Sequence, residues 1–194
     1  MKNIYNASHN IFKWFVFTII VFGFFSGCEI QDNFEYQPSP TNPNLNMTAW
    51  EFIQDRSDIM SSMQEAVTRA QMENYYSDNK GYTYIMPRNN AWKKYLTANK
   101  YASVADIPVN VLQNVLKYHL VKAKVNFSDP ALLEANNPIA YPTESGQVMY
   151  LSHSTNYQGL INQGTKKQWT IITSNLEATN GTVHVTDDVV YLNQ

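Results

Sequence analysis

IITSNLEATNGTVHVTDDVVYL, at residues 171–192, holds two strand-like runs separated by a turn. Both runs are rich in Val, Ile and Thr, the residue types that suit a pleated, packed surface. Ala178-Thr179-Asn180-Gly181 lies between them. Asn-Gly at such a place is the strongest short signal for a tight β-hairpin, because both central residues must tolerate positive φ. His184 and Asp187 are spaced along the second run.

Upstream, residues 83–92 read TYIMPRNNAW. Pro87 follows an apolar strand, Asn89 stands two residues later, and Ala91-Trp92 enter an amphipathic run. Between this piece and the hairpin lies Leu116-Lys117-Tyr118-His119-Leu120-Val121. In this order and at these distances, the three pieces resemble the fasciclin (FAS1) domain. The family's Thr-x-Phe-Ala-Pro-Thr-Asn-x-Ala-Phe motif is matched at Thr83, Pro87, Asn89 and Ala91. Ile85 and Trp92 are apolar substitutes for Phe, while Met86 and Arg88 replace the usual Ala and Thr. Tyr118-His119 is similar to the family's Tyr-His-x-Val segment, and Asn180, Gly181, His184 and Asp187 to its closing hairpin. The resemblance covers residues 46–192. It implies an α+β fold, a fasciclin-like β-wedge of about seven strands with helices packed on one side.

The first 27 residues read as addressing information. Lys2 and Lys13 precede an apolar core at residues 14–25, which is short of the roughly 20 residues a membrane span needs. That core runs into Phe25-Ser26-Gly27-Cys28, similar to a bacterial lipobox whose Cys is lipidated. Cys28 is the only cysteine of the 194 residues, so no internal disulfide forms and a lone thiol needs a use. Residues 28–45, with Pro38, Pro40 and Pro43 among polar and acidic residues, lack the apolar bulk to offset chain entropy and read as a flexible tether. The domain is expected at 46–194.

Local signals order that domain as helices first and strands later, an α+β arrangement. Thr48 and Glu51 form a capping box before a first helix with Trp50 and Ile53 on its apolar face. A second helix restarts at Asp58 and runs through Met63, Val67 and Ala70. Further helices are expected over residues 90–96, after Pro108, and briefly after Asp129-Pro130. From Ile139 onward the pattern is β.

No catalytic constellation emerges. Serines lie outside any Gly-x-Ser-x-Gly elbow, and the glycines are too far apart for a phosphate loop. The four histidines never approach metal-ligand spacing. Asp187-Asp188, the adjacent acidic pair, would point to opposite faces of a strand. His119 and His184 are read as packed rings bonded to polar partners, for which Asn89 and Asp187 are candidates; the sharper reading makes Tyr118-His119 part of a recognition surface. The many tyrosines, Tyr75, Tyr76, Tyr82, Tyr84, Tyr141, Tyr150 and Tyr157 among them, suit core packing and binding surfaces alike.

The net charge is −2, with Lys93-Lys94 and Lys166-Lys167 the only basic pairs, so no basic surface invites nucleic acid. The expected protein is a non-enzymatic cell-envelope lipoprotein, without cofactor or metal, that contacts protein or glycan of the cell surface or matrix in an adhesive role. It would be lipid-anchored to the outer membrane, on its surface or its periplasmic face. The alternative is an accessory binding module for a small apolar or glycan ligand in a nutrient-uptake complex. A concave aromatic cleft would favour this alternative, and a flat, polar, loop-rich surface the adhesive role.

Overall fold

The computed structural model describes residues 42–191. The expected leader, Cys28 and the tether up to Thr41 lie outside them. Upstream of the expected boundary at Asn46, the chain already lies along the domain: Glu177 N–H donates to the Pro43 carbonyl at 2.8 Å, and Leu45 N–H to the Glu177 carbonyl at 2.9 Å.

Helix α1 spans Ala49–Asp55 and opens on the expected capping box. Its buried face is Ala49, Phe52 and Ile53, with Trp50 half-buried beside it. Helix α2, Ser57–Ala70, buries Met60, Met63, Ala66, Val67 and Ala70, the three-to-four spacing of one face. Gln71 then turns left-handed and ends it. A short helix the sequence did not betray, α3 at Glu73–Ser77, is too brief to show a period and is seated by Tyr76. Strand β1, Tyr82–Pro87, leads into α4, Asn89–Asn99. Pro108 caps α5, Val109–Tyr118, which buries Leu112, Val115, Leu116 and Tyr118. The turn after Asp129 is a single 3-10 turn at Pro130–Leu132, with Asp129 Oδ1 accepting from Ala131 N–H.

The remaining strands are β2 (Leu120–Val121), β3 (Ile139–Pro142), β4 (Val148–His153), β5 (Gly159–Ile161), β6 (Trp169–Ala178) and β7 (Gly181–Thr186). They form one seven-stranded sheet in the order β2-β1-β7-β6-β5-β4-β3. Only β1 and β7 run parallel. The sheet curls until its ends nearly meet, where Val121 bridges Thr143 and Lys122 N–H donates to the Pro142 carbonyl at 2.8 Å. This is the expected α+β wedge.

Two cores flank the central strands. Tyr84 and Met86 of β1 and Val183 and Val185 of β7 pack on the helices. Ile85 faces the other way, into the wedge, with Tyr118, Met149, Leu151, Ile161 and Ile171. Every residue of β7 is therefore buried, and both central strands lack the alternation of a half-exposed strand.

The closing hairpin forms where expected, with Ala178 facing Gly181. Its turn differs from the expectation: neither Asn180 nor Gly181 has positive φ. Glycine is required at 181 by proximity. Tyr82 of β1 is paired with Gly181, and a Cβ there would overlap the Tyr82 carbonyl oxygen.

Candidate functional site

Thr83, Pro87, Tyr118, His119, Asn180, Gly181 and His184 are buried, while Asn89 and Asp187 are partly exposed. Thr83 Oγ1 donates to the Ala123 carbonyl at 2.7 Å and accepts from Val125 N–H at 2.8 Å, tying β1 to the loop after β2. Pro87 ends β1 opposite Thr186. Asn89 opens α4 and clamps it to α2, with Oδ1 accepting from Ser62 N–H at 3.0 Å and Nδ2 donating to the Asp58 carbonyl at 3.2 Å.

Asn180, 3 % exposed, is the densest clamp. Its Oδ1 accepts from Ala49 N–H at 2.9 Å, and its Nδ2 donates to the Tyr76 and Asp78 carbonyls at 2.7 and 3.2 Å. One amide thus joins the start of α1, the end of α3 and the hairpin turn. Asn180→Ala is expected to cost about 2 kcal/mol, because it strands a buried backbone N–H; chemical denaturation measures it.

Tyr118 and His119 are 3 % and 1 % exposed, so both are packing elements. Tyr118 Oη accepts from Asn162 Nδ2 at 2.9 Å. His119 Nδ1–H donates to the Val115 carbonyl at 2.8 Å, and Nε2 accepts from Val190 N–H at 3.0 Å. His184 Nδ1 accepts from Asn175 N–H at 3.1 Å, and Nε2–H donates to the Val125 carbonyl at 3.2 Å. The partners expected for these rings, Asn89 and Asp187, are engaged elsewhere; backbone groups take their place, which no side-chain pattern announces. Burial pushes both imidazoles down to about 4.

Asp187 and Asp188 also depart from expectation. They lie beyond the end of β7, where the strand rule no longer applies, and both reach Lys94, at 3.8 and 3.1 Å. Asp187 accepts from Arg88 Nε at 2.8 Å, and this bond holds its carboxyl below the usual range. Among the described residues, no cluster of three metal-ligating side chains occurs.

Beside this ion network opens a cleft of about 380 Å³. Its walls are α4 (Lys94, Tyr95, Ala98), the loop joining β5 to β6 (Lys166, Lys167, Gln168) with Trp169, and the segment after β7 (Asp188, Tyr191). Tyr191 meets Tyr95 edge-on at 5.2 Å, and Lys167 Nζ sits 4.7 Å above the Tyr191 ring.

The fasciclin domain model matches residues 58–192. The chain belongs to the fasciclin family. Among solved structures, this fasciclin domain is similar to a FAS1 domain pair from the insect cell adhesion molecule Fasciclin I. The two share 20 % identity at a TM-score of 0.48, over 73 % of this chain and 45 % of that one. The chain thus spans less than half the length of that neighbour. No curated protein matches the sequence.

Inside the fasciclin domain, the motif residues knit elements together, and the cleft is built from others. Lys93-Lys94 and Lys166-Lys167 were legible as basic pairs. Their meeting was not, since it depends on α4 and the β5–β6 loop lying side by side.

Proposed function

We propose that this fasciclin domain is a non-catalytic contact module of the cell envelope, binding glycan or protein of the surface or matrix in an adhesive role. The observation that carries the contact reading, whether the ligand is a matrix polymer or a small molecule, is the cleft, where the rings of Tyr95, Trp169 and Tyr191 lie beside the amines of Lys94 and Lys167. Flat amphipathic rings and long cationic side chains are groups that hold a polar polymer. Asn89, which clamps α4 to α2, and Asp187, which reaches Lys94, brace one wall. Membership of the fasciclin family is what favours the adhesive role over the alternative.

The leader, the lipid on Cys28 and an outer-membrane location complete the proposal, supported by residues 14–28 and the Pro-rich stretch that follows. Many weak contacts on anchored copies then add through effective concentration. Cys28→Ser is expected to move the protein from the membrane to the soluble fraction; retention in the membrane refutes the anchor. Protease shaving of intact cells distinguishes the two faces of the outer membrane.

The concavity of the cleft favours a second reading, an accessory module for a small apolar or glycan ligand in an uptake complex. Glycan and protein arrays probed with the detergent-solubilised chain separate the two. Capture by polymeric matrix components supports adhesion, capture by free oligosaccharides alone supports the second, and no capture at all defeats both.

A further inference from the structure

We infer that the cleft between α4 and the β5–β6 loop takes an acidic sugar, its carboxylate held by Lys166 and Lys167 and its ring set against the aromatic wall. This rests on the reading of the domain as a glycan contact module and names the class of glycan.

The charge balance is the first argument. The chain carries a net charge of −2, yet the cleft gathers three lysines. Lys94 is matched by Asp187 and Asp188. Among the described residues, neither Lys166 nor Lys167 has a carboxylate within 4 Å, and Lys167 rests on the face of Tyr191 instead. Two unmatched ammonium groups beside aromatic rings leave a positive field that favours an anion entering the cleft.

The second argument is that the loop is built to present them. Gly164 adopts φ +80, and Thr165 Oγ1 bonds to the carbonyls of Asn162 and Lys167 at 2.9 and 2.7 Å. Lys167 N–H lies 3.2 Å from the same hydroxyl. Asn162, buried at the root of the loop, receives Tyr150 N–H at 2.9 Å and donates to Tyr118 Oη. Tyr118 therefore braces the root of the loop through Asn162. A loop ordered before binding loses little entropy on contact.

The third argument is chemical fit. A uronic acid combines a carboxylate, hydroxyls and an apolar C–H face. Those match the lysines, the Gln168 amide and the rings of Trp169 and Tyr191, in a cleft whose volume suits a small ligand.

The test is calorimetric titration of the full chain in detergent with oligogalacturonate and oligomannuronate, and with the uncharged methyl ester of the former. Both acids are expected to bind, with affinity at least tenfold above the ester and falling at 0.5 M salt. K166Q/K167Q, at exposed and half-exposed positions, should lose tenfold with an unchanged melting temperature. Equal binding of acid and ester, or full affinity in the double variant, overturns the inference while the glycan reading of the domain stands. Failure of both acids to bind also overturns it. If the arrays are empty as well, the contact role falls with it. Binding to phosphatidylglycerol vesicles in place of the oligosaccharides would assign the lysines to a lipid surface and refute the sugar.

Discussion

At pH 5 the domain is expected to be about 4 kcal/mol less stable than at pH 7.5, a drop in melting temperature of roughly 10 °C. The cause lies in His119 and His184. Each ring donates one N–H to a carbonyl and uses its other nitrogen to accept from a backbone N–H. A proton added to either ring would point a second N–H at that donor. Burial, the larger influence, adds the cost of a charge away from water and lowers both groups to about 4 from 6.5. The bonds to Val115 and Val125 oppose this only in part.

The sign follows from proton counting. Between pH 6.5 and about 4 the unfolded chain holds protons on these imidazoles that the folded domain excludes, so stability falls as pH falls through that window. Above pH 6.5 their full contribution is present. Two groups together give a slope of roughly 2 to 3 kcal/mol per pH unit in the middle of the window. Melting curves by circular dichroism from pH 7.5 to 4.5 measure it. A flat profile would show that the rings are not held neutral.

Gly181→Ala is expected to destabilise the domain by about 3 kcal/mol or more, because a backbone atom, and not a pliable side chain, occupies the space of the new methyl group. The Tyr82 carbonyl oxygen is the obstacle, and the Tyr84 ring closes the other side, 2.8 Å from the ideal Cβ. Relief would require β1 and β7 to separate at the first pair of their parallel register. Those strands form the floor of both cores, so the strain spreads. Gly146→Ala is the control. Its Cβ meets open space at φ +83, and only about 1 kcal/mol of backbone strain is expected. Urea unfolding of both variants decides the matter: equal, small losses would refute the close-approach argument.

Much of the fold was legible in local order. The Thr48–Glu51 capping box, the three-to-four spacing in α2 and α5, and Pro108 ahead of α5 act between residues a few positions apart. The hairpin between β6 and β7 is local too, and its place was read correctly. Its turn geometry was not, because the demand for glycine comes from β1, a strand distant in sequence. The same holds for the histidines. Val115 lies within one helical turn of His119, but Val190 and Val125 reach the two rings from far along the chain.

The sequence by itself determined the longer helices, the closing hairpin, the order of helices before strands and, through the three motifs, the family, since each rests on spacing within a short stretch. Tertiary structure alone decided that β1 lies parallel to β7, that Asn180 clamps α1 to α3, and that Lys94 and Lys166-Lys167 share one cleft. These depend on distances between segments far apart in the chain, and such distances are settled only when the two cores close around the central strands.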